Sequence, residues 1–334
     1  MKSTRTLSTV IFLLVFLCGS LIAQEMPEIK LRNGGTVQFW GSMGQINGAD
    51  TNSMGFGLRR VRFRNYIDVG DNMKAFVQTE LTTFKLLDAR IEYLFSKNFQ
   101  VRVGRFIGAG VRAGGLTIHS VIDITERAFT AQRWGASTVG ADFRDYGVDF
   151  VGSYGAVKVN ATVHNGDGSK NMVNRMSGPS TKNGSFAFSG MVTVKPSEVK
   201  GLEFGGYYGV GNKQINDYSA FNAFVYYEPM PLKLKAEVIG WTNKTAAADI
   251  SQLGYYVFGA YKVIDNVEVL ARFENFDANT DVDKNERTFI TLGASYAMFP
   301  SKWLTSKITA AYVIANEDAD IDNNSFQLVC QFVF

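Results

Sequence analysis

Apolar and polar residues alternate along most of this chain. In Val157-Lys158-Val159-Asn160-Ala161-Thr162-Val163-His164 every second side chain is apolar. Val61, Phe63, Ile67 and Val69 interleave with Arg60, Arg62, Arg64, Tyr66 and Asp68. Val267, Val269, Ala271 and Phe273 interleave with Glu268, Leu270, Arg272 and Glu274. A period of two means strands with one apolar and one polar face. Sixteen such segments can be placed: roughly 35–44, 57–69, 73–82, 87–95, 100–106, 145–153, 156–164, 184–194, 202–210, 219–228, 232–241, 252–262, 266–276, 287–297, 305–314 and 325–334. The spacing predicts an all-β chain, with no helical stretch of weight beyond the N-terminal segment.

The connections alternate as well. Seven are short, near 70–72, 96–99, 154–156, 195–201, 229–231, 263–265 and 298–304. Between them lie longer ones rich in Asn, Asp and Gly, such as those opening at Asn165-Gly166-Asp167 and Asp277-Ala278-Asn279. Most segments run about 9–11 residues, the length a tilted strand needs to cross a bilayer. Short turns on one side and long loops on the other predict a closed 16-stranded antiparallel transmembrane β-barrel. An even strand count puts both termini on the short-turn, periplasmic side. A soluble sandwich also alternates, with its apolar face inward. Against it stands the row Arg60, Arg62, Arg64 on one face with no anion between them, which a water-filled lumen would keep solvated.

The N-terminus changes the picture in one respect. Lys2 and Arg5 precede an apolar core from Val10 to Phe16, and Ala23 offers a cleavage point. Residues 1–23 therefore read as a cleaved export signal and 24–334 as the barrel domain. Lipidation at Cys18 is disfavoured by Phe16 and Leu17 just before it. Cleavage removes two cations and no anions, lowering the formal charge of +3 to +1. That balance speaks against nucleic acid as a partner. Of the two cysteines, Cys18 leaves with the signal, so Cys330 has no intrachain partner. Hydrophobic content of 46% excludes a disordered chain.

The last segment carries Phe326, Leu328, Cys330, Phe332 and Phe334 on one face, and the sequence stops on the aromatic. This ending resembles the assembly signal of bacterial outer-membrane proteins. Further segments carry a second resemblance: Leu58-Arg59-Arg60-Val61-Arg62-Phe63, Val101-Arg102-Val103-Gly104-Arg105-Phe106, Glu126-Arg127-Ala128 with Gln132-Arg133-Trp134-Gly135, and Gly254-Tyr255-Tyr256-Val257 with Ala271-Arg272-Phe273-Glu274-Asn275-Phe276-Asp277. Together they resemble the phosphate-selective porin O and P type of bacterial outer membranes. The Pro-containing stretch usual there after Val-Gly-x-Phe is here Ile107-Gly108-Ala109-Gly110. The resemblance implies a homotrimer in the Gram-negative outer membrane, embedded in outer-membrane lipid and inserted by the barrel assembly machinery. It implies passive diffusion of small anions or hydrophilic solutes, without cofactor or enzymatic activity.

Two features would carry the channel chemistry. Same-side residues on a strand stand about 6.6–7 Å apart. Arg60, Arg62 and Arg64 thus form a ladder of guanidiniums suited to phosphate or carboxylate oxygens, and Arg90 and Arg102 share the phase on nearby strands. The alternative is a wall network, with Arg90 braced by Glu92, Asp88 and Glu80. The second feature is the connection 107–144, too long to lack a role. The resemblance implies that it folds into the pore. It carries Arg112, Arg127, Arg133 and Arg144 against Asp123, Glu126, Asp142 and Asp145, a balanced set. By phase Lys158, Lys233, Lys235, Arg272, Lys307, Glu203, Glu237, Glu268 and Glu274 also face the lumen. Tyr93, Phe95, Tyr208, Tyr227, Tyr255, Tyr261 and Tyr296 fall on the apolar phase, as interfacial girdles do.

Other chemistry is thin. His119 is followed by Ser120, which is adjacency and not geometry. The acidic stretches 277–283 and 317–322 lack the Gly and bidentate Glu of a calcium loop. The leading reading is a porin with a modest anion preference. The competing one is a non-conducting barrel that displays its loops as a structural or adhesive protein.

Overall fold

The computed structural model describes residues 27–46, 49–166, 186–213, 216–245, 247–317 and 323–334. The export signal at 1–23 lies outside the described residues, as do 318–322 of the second acidic stretch. The strands are β1 (Ile29–Ile46), β2 (Ala49–Val69), β3 (Met73–Glu80), β4 (Lys85–Ser96), β5 (Phe99–Phe106), β6 (Asp145–Tyr154), β7 (Val157–His164) and β8 (Ala187–Val194). They continue as β9 (Leu202–Lys213), β10 (Asn216–Tyr227), β11 (Leu232–Lys244), β12 (Asp249–Ile264), β13 (Val267–Asp277), β14 (Glu286–Ala297), β15 (Ser306–Glu317) and β16 (Ser325–Val333).

Each strand pairs antiparallel with the next, and β1 pairs with β16 from Thr36↔Val333 to Gly44↔Ser325. The sheet closes on itself, so its strands keep no free edge, which a bilayer requires. All sixteen sequence segments fall on these strands, most boundaries agreeing within three residues. The largest difference is at β1 and β2, which run to 18 and 21 residues.

The outward phase is apolar. Tyr255, Val257 and Tyr261 on β12, Leu234 on β11 and Phe326 and Phe332 on β16 are exposed on the outer face. Cys330 shares the outward phase of β16 opposite Phe39. The girdle tyrosines Tyr93, Tyr208, Tyr255, Tyr261 and Tyr296 are likewise exposed, with Phe95.

The inward phase divides the lumen in two. Along β8 to β13 it is largely apolar: Met191, Tyr207, Tyr218, Phe224, Tyr226, Ile239, Trp241, Tyr256, Phe258 and Phe276 are buried in one cluster. Segment 107–144, called L3 below, supplies the other half of that core with Val111, Ile124, Ala131, Trp134 and Phe143. The expectation of no helix after the signal is corrected here. L3 holds a 3-10 turn at His119–Val121 and an α-helix, α1 (Phe129–Ser137). Nine residues are too few to be helical alone, and no amphipathic repeat announces them. Tertiary packing makes the helix: Trp134 is 2% exposed, its ring 5.6 Å from Tyr207 and 6.2 Å from Phe143. Gly254 on β12 permits the close approach, since a Cβ there would stand 2.3 Å from Thr130 Oγ1.

Candidate functional site

L3 is fastened to the far wall largely through its own main chain. Glu237 on β11 accepts from the amides of Arg112 and Ala113, each at 2.9 Å. Glu274 on β13 accepts from Phe129 N at 2.6 Å. Lys307 on β15 donates to Ile122 O, Gln331 on β16 to Ser120 O, and Gln38 on β1 to His119 O. The loop thereby crosses the barrel interior, and the wall of β2 to β4 is left facing open space.

That space, about 1340 Å³ counted with the solvent it opens onto, runs beside the arginine row. Arg60, Arg62 and Arg64 line it, with Arg90 further along. A fourth member of the row comes from β2 itself. Gln38 pairs with Arg60 but Phe39 pairs with Leu58, so Arg59 is the extra residue of a β-bulge. The bulge resets the phase. Beyond it Leu58, Phe56 and Met54 point outward, at 58%, 81% and 71% exposure, while Arg59 turns inward beside Arg60. A strict period of two would have put Arg59 on the lipid face, where a guanidinium is costly.

The row is not free of anions, which corrects the sequence reading. Glu126 from L3 forms ion pairs with both Arg59 (3.1 Å) and Arg60. Arg62 Nε donates to Glu80 Oε2 at 2.8 Å, and its Nη1 meets His119 Nδ1 at 2.9 Å. Arg64 donates to Gly35 O (2.9 Å) and Thr36 Oγ1 (2.7 Å), and no carboxylate among the described residues pairs with it. Arg90 pairs with Glu92 at 2.6 Å and stands over the Phe76 ring, so the bracing network is real at this rung. Lining the space are eight cations (Arg59, Arg60, Arg62, Arg64, Lys85, Arg90, Arg127, Arg144) and four carboxylates (Glu80, Asp88, Glu126, Asp142). The excess is four positive charges.

The other sequence candidates are scattered. Arg102 does not join the row: it pairs with buried Asp149 on β6. Arg112 pairs with Glu203 at 2.8 Å, and Asp123 with Lys233 (3.2 Å) and Lys235 (2.6 Å), on the side of L3 away from the row. Arg127 is pinned to Gly114 O and Thr117 O and faces the row, together with Glu126. Arg133 is exposed on α1 and does not line this space.

Burial sets the protonation of the loop groups, and the guanidiniums steer it. Burial pushes the Glu126 carboxyl up, but Arg60, Arg59 and Arg127 outweigh it and hold it below its ordinary range. Burial likewise raises Asp123, and Lys235 and Lys233 bring it down to about 2. Arg127 falls to about 9 by burial and the nearby Arg60, and so stays charged at neutral pH. His119 is driven far below its usual value, first by burial and then by Arg62, Arg60 and Arg64. It is therefore a neutral acceptor for Arg62, which puts its proton on Nε2. The folded barrel cannot take up the proton that the unfolded chain binds near pH 6.5. The contribution of this histidine to stability is thus complete above that pH and lost below it, by about 1.4 kcal/mol per pH unit. Between pH 7 and pH 5 the denaturant midpoint of the wild type should therefore change less favourably than that of His119→Gln, the difference between the two isolating this group. Asp123 loses its own contribution only between its ordinary 3.8 and about 2, outside that window.

The second histidine has partners that the sequence did not place beside it. His164 Nδ1 meets Asp145 Oδ2 at 2.8 Å, and its Nε2 stands 3.4 Å from Ser189 Oγ. All three are buried, and Ser189 Oγ also lies 3.4 Å from Ala109 O. The trio ties the stem of L3 to β6, β7 and β8. The main-chain oxygen of Ser120, the neighbour in sequence of His119, accepts from Gln331 Nε2 at 3.0 Å. Among the described residues no group of three or more His, Cys, Asp or Glu could hold a metal. The loop 277–285 is instead folded by Asn279 N on Asp277 Oδ1 (2.9 Å) and Asp281 N on Asn279 Oδ1 (3.3 Å).

A family model described as Gram-negative porin matches residues 9–318. The chain belongs to the Gram-negative porin family. Solved structures share its fold at low identity. An anion-selective porin from Comamonas acidovorans aligns at 15% identity and TM-score 0.73, covering 92% of this porin and 100% of the other. The trimer form of OmpT from Vibrio cholerae aligns at 13% and 0.62, covering 92% and 99%. OmpF of Salmonella typhi, in complex with daunomycin, aligns at 9% and 0.66, covering 91% and 98%. No curated protein matches the sequence. This porin is thus an outer-membrane barrel channel, and identities this low carry the fold rather than the solute.

Proposed function

We propose that this porin passes small hydrophilic solutes by passive diffusion with a modest preference for anions, phosphate among them. The observation that carries the reading is the row Arg59, Arg60, Arg62 and Arg64 along a lining with four cations in excess. Guanidiniums stay charged at any relevant pH and present planar donors to phosphate and carboxylate oxygens. Rungs about 7 Å apart let an anion pass from one to the next, held firmly enough to enter and loosely enough to leave. Carboxylates beside the rungs weaken each one, which is why the preference is modest. Arg64, bonded among the described residues only to neutral oxygens, is the strongest rung. The resemblance to the phosphate-selective type supports phosphate as one of the anions. A homotrimer belongs to the same reading, supported by the trimer form of the Vibrio cholerae relative. Export by the segment 1–23 and insertion by the barrel assembly machinery complete it.

The test is the reversal potential of the purified barrel in a planar bilayer under a KCl gradient, with phosphate then added. An anion-directed potential, with chloride current reduced by millimolar phosphate, is expected. A cation-directed potential would end the anion reading, and absence of current from folded protein would favour the display barrel.

A further inference from the structure

A second open space lies on the other side of L3, at the short-turn end of the barrel, and measures about 1000 Å³ with its solvent. Its composition differs from that of the arginine row. Its charged lining holds Lys233, Lys235, Lys262 and Lys307, from the turn ends of β11, β12 and β15, with Arg112, against Asp123, Glu228 and Glu268. Its apolar part comes chiefly from two turns: Met230, Pro300, Trp303 and Leu304.

The lysines are not equally occupied. Asp123, Glu228 and Glu268 neutralise Lys233 and Lys235 at 2.6–3.2 Å. Lys307 donates to the carbonyl of Ile122. Lys262 has no carboxylate partner among the described residues, and its Nζ stands 4.6 Å from the Trp303 ring centroid. A cation whose partner is an aromatic face, bordered by more apolar surface, is half of a complementary pair. An inorganic anion would satisfy the charge and leave the indole bare. An anion with a planar apolar body satisfies both, its charged group on Lys262 and its ring against Trp303.

We propose that this space is a binding subsite for organic anions that carry an aromatic body, separate from the arginine row. It holds such a solute on the short-turn side of L3. It does not rest on the anion preference proposed above, because its recognition is as much apolar as electrostatic.

The probe is potassium benzoate, with potassium acetate as the anion lacking a ring, added to single channels of the full-length mature protein in KCl. Benzoate should reduce the current in a saturable manner, and acetate should not. Trp303→Ala should weaken the benzoate block about five-fold. Lys262→Gln should weaken it by a similar factor without altering the turn. The KCl reversal potential should stay unchanged in Trp303→Ala, which removes no charge from the lumen. Equal effects of benzoate and acetate would overturn the proposal. So would a block that stays within about two-fold of wild type in Lys262→Gln, should Trp303→Ala fail to fold. The wild-type reversal potential separately decides the anion preference, so the two readings fail independently.

Discussion

Arg64→Gln should shift the reversal potential toward zero more than either Arg60→Gln or Arg62→Gln. The ordering follows from what each guanidinium already holds. Arg60 is engaged by Glu126 and by Gln38 at 2.9 Å, so much of its field is spent within the protein. Arg62 is engaged by Glu80 at 2.8 Å. Among the described residues Arg64 bonds to the neutral acceptors Gly35 O and Thr36 Oγ1 alone, so more of its field reaches the pore. Removing Arg60, Arg62 and Arg64 together reduces eight lining cations to five against four carboxylates. The triple variant should be close to unselective between potassium and chloride. Bilayer reversal potentials measure all four proteins, with the mobility of unheated protein on a denaturing gel confirming the closed barrel. An unchanged potential in the triple variant would remove the row from the selectivity of this porin.

Glu237→Ala should release the start of L3, and we expect this to be the largest structural effect of any single change in the lumen. Glu237 is 2% exposed and accepts from five donors: Arg112 N, Ala113 N, Asn222 Nδ2, Tyr226 Oη and Tyr256 Oη. Truncation leaves those donors buried without an acceptor, at about 1–3 kcal/mol for each that finds no water. The two loop amides can recover their solvation only if the loop moves away. The expected result is faster trypsin cleavage within L3, where Arg112, Arg127 and Arg133 offer sites, with a larger and noisier conductance. Glu237→Gln keeps one acceptor oxygen and should fall between. The barrel wall should survive, because the strand ladder does not depend on this side chain. Cleavage and conductance like wild type in Glu237→Ala would show that Glu274, Lys307 and Gln331 hold the loop without it.

Much of this porin was legible in its sequence, and the reasons are local. A bilayer outside and water inside impose a period of two on every strand, so Val157–His164 or Val267–Phe273 can be read without a structure. Turn length alternates because a closed antiparallel sheet needs one tight end. Where the pattern was broken, the reading failed for identifiable causes. The run Tyr255-Tyr256-Val257-Phe258 is apolar on both phases, a sign that the inner face of β12 is covered as well as the outer. Pursued, it would have pointed to a hydrophobic core behind L3 and to something helical or compact filling it. The paired Arg59-Arg60 was the other unread signal, since two adjacent guanidiniums cannot both face water in a regular strand that has lipid on one side.

Alternation and turn length are properties of neighbours along the chain, and they suffice for the barrel, its sixteen strands and the inward direction of Arg60, Arg62 and Arg64. What those arginines are worth depends on contacts made across the fold. Glu126 and Glu80 reach Arg60 and Arg62 from 66 and 18 positions away, while Arg64 is left with neutral partners. The tertiary structure also decided the phase reset at Arg59, the helix at Phe129–Ser137 and the division of the lumen into an arginine corridor and a lysine and tryptophan mouth. Those depend on where a 38-residue loop spends its hydrogen bonds across the barrel, and long-range pairing of that kind leaves no periodic trace in the chain.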